Sequence, residues 1–301
     1  METDHEPYVW TLSEKLAETA KRELGETPDV RTKALAEIRK RLHDRPDLLC
    51  PKDNLFLLAF LRARKFEVDR AFTLLVNWCT MRTNRKDLYG DFTAASIRDA
   101  METGFMATLS FKDNLGRSIS IYRAGTWDVE KFTLYDLIKV PLMLMDLRIR
   151  DEEVQINGVV TIIDMEGIGM HHMTHIGPRM ARKIAPIINQ DSIPVRVKAI
   201  HFINESRLLD VVLAMIKPFM KKKVKERIHT HAHDLSSLHA KVPAMILPCE
   251  YGGLTSSRDD LIQMVVAKAL AHEEVIKEFT KYGIKKVKNS DGSVAGNGGV
   301  S

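Results

Sequence analysis

Between Asp191 and Thr230 the chain reads DSIPVRVKAIHFINESRLLDVVLAMIKPFMKKKVKERIHT, and no other stretch restricts the fold as tightly. It opens on a strand-like run, Val197, Ala199 and Ile200 to Ile203, and turns at Asn204-Glu205-Ser206. A helical segment follows in which residues 208 to 216 carry a single charge, Asp210. Surface helices show one apolar stripe and one polar face, so a helix apolar almost all round must lie against apolar material on more than one side. Directly after it, Lys217, Lys221, Lys222, Lys223, Lys225 and Arg227 stand within eleven residues against one acid, Glu226. That composition suits contact with an anionic membrane; a core helix followed by a solvated turn is the plainer alternative.

A chain of 301 residues holds one large domain or two smaller ones, with a sizeable core. The net charge of +5 is modest, so attraction to anions must come from local clusters. No long apolar run spans a membrane thickness, and METDHEPYVW carries acids where a secretory leader is basic and then apolar. Neither a transmembrane segment nor secretion is expected. Cys50, Cys79 and Cys249 are too few and too scattered for a disulfide framework, which fits a reducing, cytoplasmic setting.

Residues 1 to about 95 read as helices joined by short breaks. Thr27-Pro28-Asp29 supplies a capping hydroxyl, a proline at the first helical position and an early acid for a helix from Val30 to Leu42. Pro51-Lys52-Asp53-Asn54 starts another, with Leu57, Leu58 and Leu61 on one face, and Val68 to Met81 a third. From Phe105 the period changes: Ile119 and Ile121 alternate with Ser118 and Ser120 after a turn at 111 to 116. Thr133 to Arg150 returns to helical spacing with Pro141 inside, where a kink is expected. GVVTIID at 158 to 164 reads as a strand buried on both faces, followed by a helix from Pro178 to Ile188 and the strand at 197 to 203. Strands alternating with helices imply crossover units and a mixed, largely parallel sheet. Arg227 to His231 reads as an edge strand and Ala244 to Leu247 as a closing segment. A helix from Arg258 to Tyr282, ended by Gly283, precedes a tail of disordered composition.

Catalytic and metal chemistry find little support. Gly167-Ile168-Gly169 has His172 at the third glycine position and the acids Asp164 and Glu166 where a pyrophosphate would sit. His171 with His175, and His229, His231 and His233, lack the further ligands that zinc requires. No serine occupies a nucleophile elbow, and Asp164, Glu166 and Glu205 read as loop-capping carboxylates. The basic knot contains one aromatic, Phe219, and no nucleic-acid-binding module surrounds it. No catalytic residue, metal ligand or cofactor is therefore assigned, and the chain is not expected to be an enzyme.

LLAFLRARKFEVDRAFTLL, GVVTIIDMEG, PVRVKAIHFINE, IKPFMKKKVKERIHTH and LPCEYGG, in this order, closely resemble the CRAL-TRIO lipid-binding family. IYRAGTWDVEKFTLYDL places the resemblance nearest the branch that contains the alpha-tocopherol transfer protein and cellular retinaldehyde-binding protein. The resemblance implies an α/β fold: an extension (1–27), a helical N-terminal domain (28–95), a mixed-sheet lipid-binding domain (96–253) with a mobile lid helix, a C-terminal helix (254–285) and a disordered tail (286–301). It implies an apolar pocket formed by Ile138, Val159, Ile163, Ile187, Ile188, Ile193, Val195 and Ile200, with Met145 and Pro141 replacing two serines of that branch. Leu209, Val212 and Met215 are expected on the lid's inner face. Arg64, Arg196, Lys198, Lys223 and Arg227 match a phosphoinositide-binding site, of which another basic position is Thr73 here. The implied function is a nonenzymatic carrier of a tocopherol-like, retinoid-like or other isoprenoid lipid. It would exchange that cargo with phosphoinositide-bearing membranes, and the resemblance implies a cytoplasmic protein visiting endosomal or plasma membrane surfaces. A phospholipid-exchange protein or phosphoinositide-sensing adaptor is the competing expectation. Ile193-Pro194-Val195 stands where the phosphatidylinositol-carrying branch has Tyr-Pro-Glu, which disfavours phosphatidylinositol as the buried cargo.

Overall fold

A computed structural model describes residues 7–205 and 207–285; the tail expected to be disordered lies outside the described residues. The capping signals act as their chemistry dictates. Thr27 accepts a hydrogen bond from the Val30 backbone at the start of the helix Pro28–His43, and Asp53 does the same for Asn54–Ala63. With Val68–Asn84 these helices enclose a core in which Phe56 and Phe60 stand 5.3 and 6.1 Å from Trp78, edge to face.

Seven strands occur among the described residues: β1 (Leu48–Leu49), β2 (Met106–Lys112), β3 (Ser118–Arg123), β4 (Val159–Asp164), β5 (Val197–Ile203), β6 (Ile228–Thr230) and β7 (Gly283–Ile284). Five form one mixed sheet in the order β2-β3-β4-β5-β6, antiparallel only between β2 and β3. The β2–β3 turn is held by Asp113, whose carboxylate accepts from the backbone of Leu115 and Arg117, each at 2.9 Å. Val160 and Ile162 of β4 are fully buried, as the apolar, β-branched run anticipates. In β3 the isoleucines Ile119 and Ile121 pack into the core, and Ser118 and Ser120 on the opposite face are also buried. Both faces of the sheet are thus covered. The helix Arg258–Ala271 packs on the isoleucine side, with Leu261 beside Ile121. The helices Leu134–Arg148, Pro178–Ile188 and Leu208–Ile216 roof the other side over open space.

Two expectations are corrected, and a third element is specified. The helix expected from Arg258 to Tyr282 is two, Arg258–Ala271 and Glu273–Phe279, because His272 leaves helical geometry at φ −117°, ψ 24°. Gly283 does not end a helix; it belongs to β7, which pairs antiparallel with β1. A Cβ there would lie 2.5 Å from the Thr83 hydroxyl, so the close approach of the strand to the helix Val68–Asn84 requires glycine. Ala244–Ile246 is a 3-10 turn.

The segment expected as an extension contains a capped helix, Glu14–Leu24, whose Leu16, Ala20 and Leu24 pack against Ile156 of the helix Glu152–Asn157. Beneath it, Glu26 binds the guanidinium groups of Arg31 and Arg62 at 2.8 Å, and Arg62 also reaches Glu152 at 2.7 Å. Buried charges survive only when matched in this way.

Candidate lipid cavity and basic cleft

An apolar cavity of about 330 Å³ lies between the sheet and its roof. Ile138, Ile163, Ile187, Ile188 and Ile200 line it. Met145 and Ile193 stand at its junction with a second chamber of about 110 Å³, and Val159 and Val195 line that chamber. Pro141, inside the helix Leu134–Arg148, borders both and leaves one backbone donor missing from the helical ladder. Met180, Ile184 and Phe202, which are not among the positions the resemblance nominates, also line the cavity. Their signals were present: Met180, Ile184 and Ile188 recur at helical spacing, and Phe202 follows Ile200 at strand spacing. Trp127 presents an apolar ring because its indole N–H is committed to the Phe132 carbonyl at 2.8 Å.

The lid helix Leu208–Ile216 continues as a 3-10 turn, Lys217–Phe219. Val212, Leu213, Ile216 and Met220 face the cavity, while Leu209 is buried against Met165 and Phe202. Met215 is not on this face. At about 100° per residue, Leu209, Val212, Leu213 and Ile216 fall within one stripe of about 100°, whereas Met215 lies about 120° from Leu209. The outer surface of the helix keeps Val211 47% exposed, so the lid is apolar on both its cavity and solvent sides.

Arg64, Arg196, Lys198, Lys223 and Arg227, drawn from three separate segments, line one open cleft of about 600 Å³. Arg22, Lys65, Arg70 and Lys221 join them, and Thr73 lies in the same wall with its hydroxyl turned to the Asp69 carbonyl at 2.9 Å. Backbone carbonyls orient the cations: Arg64 donates to Gln190, Arg196 to Ile156 and Arg227 to Val197. Among the described residues Arg64, Lys223 and Arg227 make no ion pair with a carboxylate. Partial burial, followed by the nearby charges of Arg227, Lys65, Arg196 and Arg64, holds the Lys223 ammonium below its ordinary value. A cleft that destabilises its own cations in this way gains most from an incoming polyanion.

One acid enters the cleft. Glu23, at the end of the helix Glu14–Leu24, accepts from Arg196 at 3.0 Å and from Lys198 at 2.5 Å. Burial raises its carboxyl, and the two cations together outweigh burial and hold it below its ordinary value. Sequence spacing gives no hint of this pairing, which spans 175 positions. Cavity and cleft meet at Asn189, whose side chain donates to the Phe219 carbonyl and accepts from the Lys221 backbone, each at 2.8 Å. The end of the lid is thereby fixed to the helix Pro178–Ile188 where the basic segment begins.

The other polar clusters have structural duties. His172 sits between the Gly169 N–H and the Trp127 carbonyl. His201 and His231 share a hydrogen bond of 2.9 Å on the side of the sheet away from the cavity. Asp164 binds Asn204 and Tyr251, and Glu205 accepts from the backbone of His231 and Ala232. These carboxylates hold loops, in keeping with the preference of acids for exposed backbone donors.

Residues 102–253 match the family model of the CRAL/TRIO domain, and the chain belongs to that family of lipid-binding proteins. It is 35% identical to the human protein named alpha-tocopherol transfer protein-like over 273 residues, covering 90% of this chain and 79% of that one. It is 36% identical to mouse clavesin-2 over 251 residues, 82% of this chain and 76% of the relative. The crystal structure of Sfh5 aligns with 88% of this chain and 100% of that chain at 14% identity and a TM-score of 0.46, too slight a likeness to inform the site. Among the described residues no helix is long and apolar enough to cross a membrane.

Proposed function

We propose that the protein is a nonenzymatic carrier of a small isoprenoid or similarly apolar lipid, exchanged at phosphoinositide-bearing membranes. One observation carries this reading: a single continuous segment, 208 to 227, forms the roof of an apolar cavity and then a wall of the basic cleft. The cavity binds by removing ligand surface from water, at about 25 cal/mol per Å². With Arg22 counted, the cleft supplies cations from four segments, the arrangement that surrounds a multiply phosphorylated headgroup. A headgroup drawn onto Lys223 and Arg227 pulls on the segment that Asn189 joins to the lid, and the apolar outer face of the lid enters the interface.

The family membership and the name of the tocopherol transfer-like relative support a lipid cargo. The reading places the protein in the cytoplasm with transient visits to endosomal or plasma membrane surfaces. Native mass spectrometry of the purified protein, with extraction of any bound lipid, tests it. A bound isoprenoid is the expected result. A consistently empty cavity together with intact phosphoinositide binding favours the adaptor reading instead, and turnover of a bound lipid favours an enzyme.

A further inference from the structure

We propose that the smaller chamber seats the neutral hydroxyl or carbonyl head of an otherwise apolar cargo, recognised by a row of hydroxyl groups on the sheet. The inference rests on the carrier reading and narrows its cargo to lipid alcohols and their carbonyl counterparts. Thr108 pairs with Ser120 across β2 and β3, and Ser120 pairs with Thr161 across β3 and β4. Tyr122 stands two residues along β3, on the same face. All four line the chamber of about 110 Å³, and Tyr122 and Thr161 also line the main cavity, so the row begins at the junction and runs inward.

Among the described residues none of these four hydroxyls has a hydrogen-bond partner, and none is sealed inside packed protein. They therefore face the open space. Burial raises the Tyr122 phenol, which keeps its proton available for donation. Hydroxyls that face an enclosed space without a protein partner are free to bond a guest, so a site that carries several side by side favours a ligand able to satisfy them.

The chamber's charges are already matched. Asp146 is held by Arg82, and Arg148 lies 3.8 Å from Asp151. The Gln155 amide donates to the carbonyls of Leu55 and Ile149. Among the described residues each charged group lining the chamber already has an opposite partner, the loosest being Arg148, whereas a neutral head finds both donors and acceptors. The main cavity beyond is apolar and takes the hydrocarbon.

The test uses the full chain, Nile red as a fluorescent apolar guest, and the matched pair phytol and phytane as competitors. Dye entry reports the cavity itself, and the ratio of the two competing affinities reports the hydroxyl row. Wild type is expected to favour phytol over phytane about tenfold, and Ser120→Ala with Thr161→Val to cut that ratio about fivefold, following the usual net worth of a hydrogen bond. Thr161→Ser in the Ser120→Ala background restores part of the ratio. A general loosening of the cavity weakens both competitors and leaves the ratio intact. Equal competition by phytol and phytane in wild type, or a ratio unchanged in the double variant, overturns the inference while the carrier reading stands. Failure of Nile red, phytol and phytane alike to bind overturns both.

Discussion

Glu23 Oε2 lies 3.0 Å from the Arg196 guanidinium and also binds Lys198, so two of the cleft's cations share one carboxylate from the first described helix. A phosphate group entering the same place competes with it. Glu23→Gln is expected to raise affinity for vesicles containing phosphatidylinositol bisphosphate by about fivefold, the effect of roughly one near-surface charge. Flotation or surface-plasmon binding at fixed salt measures this, and unchanged affinity removes Glu23 from the competition. The pH dependence has a definite sign. Because the folded carboxyl titrates below its ordinary 4.5, the contact's stabilisation is fully present above that value and is lost as pH falls through the lowered one.

Replacing both Lys223 and Arg227 with alanine should weaken binding to the same vesicles by about thirtyfold, at about 1 kcal/mol for each charge. The transfer rate should fall with it, and affinity for cargo in detergent should stay within about twofold, since neither side chain lines the cavity. Transfer kinetics between labelled donor and acceptor vesicles decide the matter. Equal rates for wild type and variant at low salt contradict a docking role.

The lid stripe separates two neighbouring side chains. Leu213→Ala removes a buried cavity-facing group and should cost about 2 kcal/mol of stability, with faster loss of bound lipid. Met215→Ala, on a half-buried position off the stripe, should cost less than about 0.5 kcal/mol. Urea unfolding of the two variants gives the comparison directly, and equal costs would show the stripe to be misassigned.

Glu26 illustrates the difference between a matched and a broken buried network. Its side chain is fully buried and joins Arg31 to Arg62. Glu26→Gln leaves Arg31 without a counter-charge and Arg62 with Glu152 alone, and should destabilise the protein by about 3 kcal/mol. A chemical-denaturation midpoint within error of wild type would rule this out.

His201 supplies a second loss of stability on acidification, setting in at higher pH than that of Glu23. Burial, then the neighbouring His231 and His229, lowers its imidazole from 6.5 to about 4. The unfolded chain binds the proton first, so stability should fall as pH drops from about 6.5 towards 4, by an amount on the order of 3 kcal/mol. His201→Gln should flatten the stability profile across that window.

Features set by local chemistry were the legible ones. Thr27, Asp53 and Thr133 each cap the helix expected from their position, and the apolar run at 158 to 164 becomes a buried strand. The five basic residues read from the sequence motifs do line one cleft, because each sits beside a well-defined strand or helix end. What escaped depends on contacts distant in sequence or on phase. The Glu23 pairing and the β1–β7 pairing have no local signature, and Met215 misses the cavity although it sits next to Ile216, which faces it. The serines of β3 alternate with isoleucines in the manner of solvent-facing residues, yet the sheet is covered on both sides and they are buried.

The pairing of Leu48–Leu49 with Gly283–Ile284 has a consequence for how the chain is made. Phe279 and Ile284 belong to the same core as Trp78 and Phe56, so the helical bundle near the start of the chain is finished by residues near its end. During synthesis on the ribosome this core stays incomplete, with Trp78 short of its Phe279 neighbour, until residue 284 has left the exit tunnel. Phe56 and Trp78 therefore leave the ribosome long before the Phe279 and Ile284 that complete their packing, and that apolar surface stays uncovered in the interval.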